Sequence, residues 1–152
     1  MSDLKAGQAA PDFELPDQTG AQVRLSQFRG QAAVVLFFYP KDDTTGCTIE
    51  ACTFRDEMPR FDAMGAKIIG VSSDSSESHA RFAGKYDLPF SLLADKGGRV
   101  RKMYGATGLL MGLIPGRVTY VIDREGVIRH VFSSQTAFRG HIEEALRALP
   151  KA

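Results

Sequence analysis

The chain of 152 residues has no tryptophan, only two cysteines and only three histidines. It also lacks any excess of charge, with 19 basic against 18 acidic residues and a net charge of +1. Each shortage excludes something. Mixed charge without a basic tract speaks against nucleic acid and anionic membranes as partners. No segment approaches the ~18 apolar residues of a membrane span, and MSDLKAGQAAPDFELP has no apolar core of signal-peptide length. A cytoplasmic, reducing setting is therefore expected. Two cysteines are too few for a disulfide scaffold, and in that setting they are more often free, catalytic or metal-binding. His79, His130 and His141 are not at metal-ligand spacing, so a metal centre is poorly supported. No repeat or low-complexity linker divides the chain, which is expected to form one domain over residues 1–152.

What is present reads as alternating strands and helices. APDFELPDQTGAQVRLSQF gives short extended pieces around a turn at 17–20. Ala33–Tyr39 is almost wholly apolar, β-branched or aromatic, as in a central strand covered on both faces, and Pro40 ends it. Thr45–Ala63 has a helical pattern that puts Ile49, Cys52, Met58 and Phe61 near one side. Lys67–Ser72 is a second buried strand. Asp74 to Glu77 has the form of a capping box, and Phe82 pairs with Tyr86 in the helix that follows. A short strand at Phe90–Leu93, a short helix at Gly97–Tyr104, a hairpin of Val118–Ile122 with Val127–Phe132 and a helix at Ala137–Leu149 complete the order. The expected fold is α/β: a thioredoxin-like mixed sheet flanked by helices, with an N-terminal β extension.

Both cysteines lie in PKDDTTGCTIEAC, just after the central strand. Cys47 falls in the first turn of the predicted helix, where unpaired backbone N–H groups favour an anion. A thiolate is such an anion and is the reactive form of cysteine. At an ordinary thiol pKa of ~8.5 only about 3% is ionised at neutral pH, whereas ~6 would give roughly 90%. A nearby cation is therefore to be sought. Cys52, five positions on, raises a conflict. On an ideal helix the two Cα atoms are roughly 8.7 Å apart and the side chains point about 140° apart. A disulfide requires Cα atoms within about 7 Å. If the two ever bond, the first turns of the helix must unwind. Taken alone, Cys52 reads as readily as a small buried hydrophobe, and Thr44 as a helix cap.

Pro40, Thr44 and Cys47 together resemble the motif of the peroxiredoxins, thiol peroxidases on a thioredoxin-like fold. The wider match is to the subgroup called peroxiredoxin Q or bacterioferritin comigratory protein. It spans APDFELPDQTG, VVLFFYPKDDTTGCTIEACTFRD, GVSSDSSESHARFAGKYDLPFSLLAD and RVTYVIDREGVIRHVF. The resemblance implies that Cys47 is the peroxidatic cysteine and that Thr44 orients the peroxide. It implies further that Pro40 shields the pocket, Arg117 supplies the cation, Glu50 holds the arginine and Cys52 resolves the sulfenic acid. It implies reduction of hydrogen peroxide and organic hydroperoxides, recycling by thioredoxin or glutaredoxin, no metal, haem or flavin, and a monomer or weak homodimer. A protein disulfide exchange enzyme and a non-catalytic thiol sensor or holdase are the alternatives. The chain departs from many relatives in having Thr45-Gly46 where they have Pro-Gly. It also has the apolar stretch Gly105–Gly116, either a loop packed beside the site or a contact for a dimer or reductant.

Overall fold

A computed structural model describes residues 4–106 and 116–149. A hairpin of β1 (Glu14–Pro16) and β2 (Gln22–Arg24) precedes a five-stranded sheet of order β5-β4-β3-β6-β7. The strands are β3 (Ala33–Phe38), β4 (Ala66–Ser72), β5 (Ser91–Ala94), β6 (Val118–Ile122) and β7 (Ile128–Ser133). β4 runs parallel to β3 and to β5, whereas β6 is antiparallel to both β3 and β7, so the sheet is mixed. The expected fold is observed. Among the described residues no helix is long and apolar enough to cross a membrane.

β3 explains the two-sided core. Its side chains alternate between faces. Ala33, Val35 and Phe37 join a cluster with Cys47, Phe54, Phe61, Phe82 and Ile142, while Val34, Leu36 and Phe38 join one with Phe13, Leu15, Val100, Tyr104 and Tyr120. A strand buried on both faces has no polar alternation, which is why its sequence reads as one apolar run.

Among the described residues, five α-helices flank the sheet: α1 (Thr45–Asp56), α2 (Met58–Ala63), α3 (Ser76–Tyr86), α4 (Arg99–Tyr104) and α5 (Phe138–Ala148). Three expectations are corrected here. The continuous helix over Thr45–Ala63 is broken at Glu57, because Pro59 lacks an N–H and its ring would collide with the carbonyl four residues back. The inner face of α1 carries Cys47, Glu50, Ala51 and Phe54, while Ile49 is 46% exposed and Cys52 only half-buried. Glu50 misled the periodicity, being a charged residue turned inward. The cap of α3 is Ser75, whose Oγ accepts from Ser78 N at 3.1 Å; Asp74 instead accepts from Asp42 N at 2.8 Å and Ser72 Oγ at 2.7 Å. The Phe82–Tyr86 pair is found as expected, edge to face with centroids 5.6 Å apart. Of the apolar stretch Gly105–Gly116, residues 107–115 lie outside the described residues.

Phe54 fastens α1 to the sheet by stacking on Phe37 at 4.5 Å. Its burial contributes roughly 1.5–3 kcal/mol. The first turn, with Cys47, therefore stands on an anchored base.

Candidate active site

Cys47 is the third residue of α1, so its N–H is among those a helix leaves without an internal partner. Its Sγ is buried and lies 3.5 Å from Arg117 Nη2. Arg117 immediately precedes β6 and is 5% exposed. Nη1 donates to Glu50 Oε1 at 2.7 Å and Nε to Gln135 O at 3.2 Å, and the guanidinium carbon sits 4.9 Å from the centre of the Phe138 ring. These contacts fix the guanidinium plane and leave one edge facing the sulfur. Gly46 is needed for this approach. A Cβ there would stand 2.8 Å from Phe138 Cζ and 3.0 Å from Arg117 Nη2.

Thr44 is the N-cap residue of α1 but makes no side-chain cap bond; its hydroxyl donates to Lys41 O at 2.9 Å. The hydroxyl oxygen keeps acceptor capacity. Pro40 follows the end of β3 and is half-buried. Cys52 lies on the same unbroken helix as Cys47, and both thiols are free. Burial pushes the Cys52 thiol up, Arg55 draws it down and Asp56 raises it further. Cys47, Glu50 and Arg117 are thus brought into contact, while Cys52 is held apart from them by the helix.

Glu50 is wholly buried. Burial raises its carboxyl to about 7 although Arg117 pulls the other way. Its Oε2 has no hydrogen-bond partner among the described residues and lies 3.6 Å from His141 Nδ1. His141 donates from Nε2 to Ser134 O at 2.8 Å, since a carbonyl can only accept, and Nδ1 accepts from the Thr119 hydroxyl at 2.8 Å. Burial lowers its pKa to about 4; the Ser134 carbonyl raises it and Arg117 lowers it further. The two groups act oppositely on stability. The folded chain keeps the Glu50 proton that the unfolded chain releases near 4.5, so this contribution is lost as pH rises toward 7. The unfolded chain takes up a proton at His141 below 6.5 that the folded chain refuses until about 4, so this contribution grows as pH rises from 4 to 6.5. Glu50→Gln removes the first and unmasks the second. The urea midpoint is expected to climb more steeply between pH 4.5 and 6.5 in the variant than in the parent chain. Equal slopes would contradict the assignment.

The sequence reading missed three groups here. One is His141 with Thr119. The second is a buried network under the Tyr39–Thr44 loop. Asp42 accepts from Tyr39 Oη at 2.6 Å and Ser78 Oγ at 2.8 Å, and its Oδ2 is 2.6 Å from His79 Nδ1. His79 Nε2 donates to Leu93 O at 2.9 Å. Asp42, Asp74 and His79 come together as metal ligands could, though their spacing in sequence did not show it; these atoms are engaged with one another and with neighbouring hydroxyls. The third is Arg101, buried on α4 beside the same loop.

Comparison with known proteins bears on the same residues. Residues 6–131 match the model of the AhpC/TSA family. Peroxiredoxin Q, chloroplastic, of Sedum lineare is 50% identical over 94% of this chain and 76% of that one. The Arabidopsis thaliana protein of the same name is 50% identical over 98% and 68%. Among solved structures, peroxidoxin BcpB of Mycobacterium tuberculosis superposes with a TM-score of 0.89 at 42% identity, covering 96% of each chain. Xanthomonas campestris peroxiredoxin Q does so at 0.85 and 31%, covering 96% of this chain and 98% of that one. The plant relatives are named chloroplastic, which points to a plastid and overturns the cytoplasmic setting expected from the first residues. With a cysteine and an arginine in contact on this shared fold, the chain belongs to the AhpC/TSA family and, within it, to the Q-type peroxiredoxins, and it is a thiol-dependent peroxidase.

Proposed function

We propose that Cys47 is the peroxidatic residue and Cys52 the resolving one of a cycle contained in a single chain, acting as one domain. The observation that carries this is the 3.5 Å contact between Arg117 and the buried Cys47 sulfur in the first turn of α1. The Cys47 thiolate attacks the nearer oxygen of ROOH. The O–O bond breaks, the sulfur becomes a sulfenic acid, and the leaving alkoxide takes a proton to depart as ROH. Arg117 and the Cys47 N–H donate to the oxygens as charge moves along the breaking bond. The Thr44 oxygen accepts from the peroxide hydroxyl, its own hydrogen being committed to Lys41 O. Pro40 brings no N–H to the rim and so draws no water there. Glu50 fixes Arg117 and so acts through it.

The second step needs α1 to open. Cys52 then attacks the sulfenic sulfur, a disulfide forms and water leaves. A dithiol protein of the thioredoxin or glutaredoxin kind reduces the disulfide by exchange and is itself oxidised. No second subunit is required, so a monomer suffices. Neither protein disulfide exchange nor a thiol switch needs a buried cation held against the Cys47 sulfur, which disfavours both alternatives.

Cys52→Ser tests the cycle. In an assay coupled to thioredoxin and its reductase, the variant is expected to consume one equivalent of peroxide and then stop. Continued turnover at the parent rate would remove Cys52 from the resolving role.

A further inference from the structure

Arg101 is 6% exposed, and among the described residues its guanidinium makes no ion pair with a carboxylate. It binds three carbonyls instead. Nη1 donates to Ala106 O at 2.9 Å and Gly116 O at 2.6 Å, Nη2 donates to Tyr39 O at 2.5 Å, and Nε has no hydrogen-bond partner among the described residues. The guanidinium carbon lies 5.7 Å from the centre of the Phe38 ring. Two of these carbonyls have particular neighbours. Tyr39 is the residue before Pro40, and Gly116 is the residue before Arg117.

A buried cation held only by carbonyls is costly unless opposite charge is near. Burial lowers the Arg101 pKa; Asp95 foremost, and Cys47 next, raise it. The Asp95 oxygens are already occupied by the N–H groups of Val100 and Arg101 itself. The guanidinium is therefore bonded to the frame of the site rather than to a carboxylate.

We propose that Arg101 is a positioning residue for the peroxidase reaction: one guanidinium clamps the carbonyl before Pro40 to the carbonyl before Arg117 and so sets the pocket wall against the cation. The proposal rests on the roles given above to Pro40 and Arg117. Arginine suits the task because its rigid fork offers donors in fixed directions to separate chain segments. Lysine would keep the charge at a single point and lose the fork.

Arg101→Lys separates the two properties. The rate of Cys47 oxidation by hydrogen peroxide is to be measured by stopped flow, beside alkylation of Cys47 by iodoacetamide at pH 6 and pH 9. Alkylation reports the thiolate and needs no organised peroxide pocket. The Lys variant is expected to lose about 10- to 100-fold in the peroxide reaction, as for a displaced reacting group, with alkylation unchanged at both pH values. Arg101→Gln is the second variant, and it carries the test if the Lys variant does not fold. Without the charge, its alkylation at pH 6 should fall relative to pH 9, and its peroxide rate should fall further than its alkylation at either pH. A parent-like peroxide rate in either folded variant overturns the clamp. So does loss of the peroxide and iodoacetamide reactions in equal proportion, which marks general damage. Arg117→Ala in the same assays separates the premises: if it leaves the peroxide rate unchanged, the reading of Arg117 itself fails. If it is impaired while both Arg101 variants are not, only the clamp fails.

Discussion

Cys47→Ser is expected to abolish peroxidase turnover with every thiol reductant, a loss of more than about 10⁴-fold that leaves only background. The reason is ionisation. The site offers a sulfur the Arg117 guanidinium at 3.5 Å and a helix N-terminus, surroundings of the kind in which cysteines react as thiolates. They do not make an alkoxide of serine at neutral pH. The fold should survive, because the exchange is nearly isosteric in a helix held by Phe54. A thioredoxin-coupled assay, with circular dichroism as the control for folding, measures the effect. Residual turnover within tenfold of the parent would place the chemistry on another residue.

Arg117→Ala is expected to cost about 10²- to 10³-fold in the reaction with peroxide, the loss seen when one fixed donor to a developing charge is removed. The substitution also strands Glu50, whose only hydrogen-bonded ion pair among the described residues is with Arg117. A stranded buried carboxylate would cost about 3–5 kcal/mol. Burial already raises the Glu50 carboxyl to about 7 against the pull of Arg117. Without the arginine it takes up a proton instead, and most of that cost is avoided. The variant should therefore fold at pH 7 and fail in catalysis. Stopped-flow oxidation by hydrogen peroxide, beside urea unfolding, separates the two effects. A variant with a parent-like rate would place Arg117 outside the reaction.

The elements buried on both faces were the easiest to read from sequence. β3, and β4 beyond the exposed Lys67, appear as apolar runs because neither face meets water there. Cys47, Arg117 and Glu50 were legible through the family motif, and the structure brings them into contact. What was not legible depends on charges turned inward. Glu50 sits on the inner face of α1, so hydrophobic periodicity picked Ile49 and Cys52 for a face they do not share with the core. His79 is 37 residues from Asp42, and His141 is 22 from Thr119. No local pattern announces such pairs. Arg101 stands in RVRK among other basic residues and looks like part of a solvated face. Only the carbonyls of Tyr39, Ala106 and Gly116 reveal why it is inside. The compartment was misjudged for a different reason: the composition of the first residues said less about it than the named relatives did.

The most direct measurement is peptide mapping by mass spectrometry after one equivalent of hydrogen peroxide is added to the reduced chain. The expected product is a single intramolecular crosslink between Cys47 and Cys52, with two hydrogens lost. That bond forms only if an ionised Cys47 reacts first and α1 then opens. A chain that instead accumulates Cys47 sulfinic acid, or crosslinks only between molecules, would contradict the opening of α1 and the pairing of the two sulfurs.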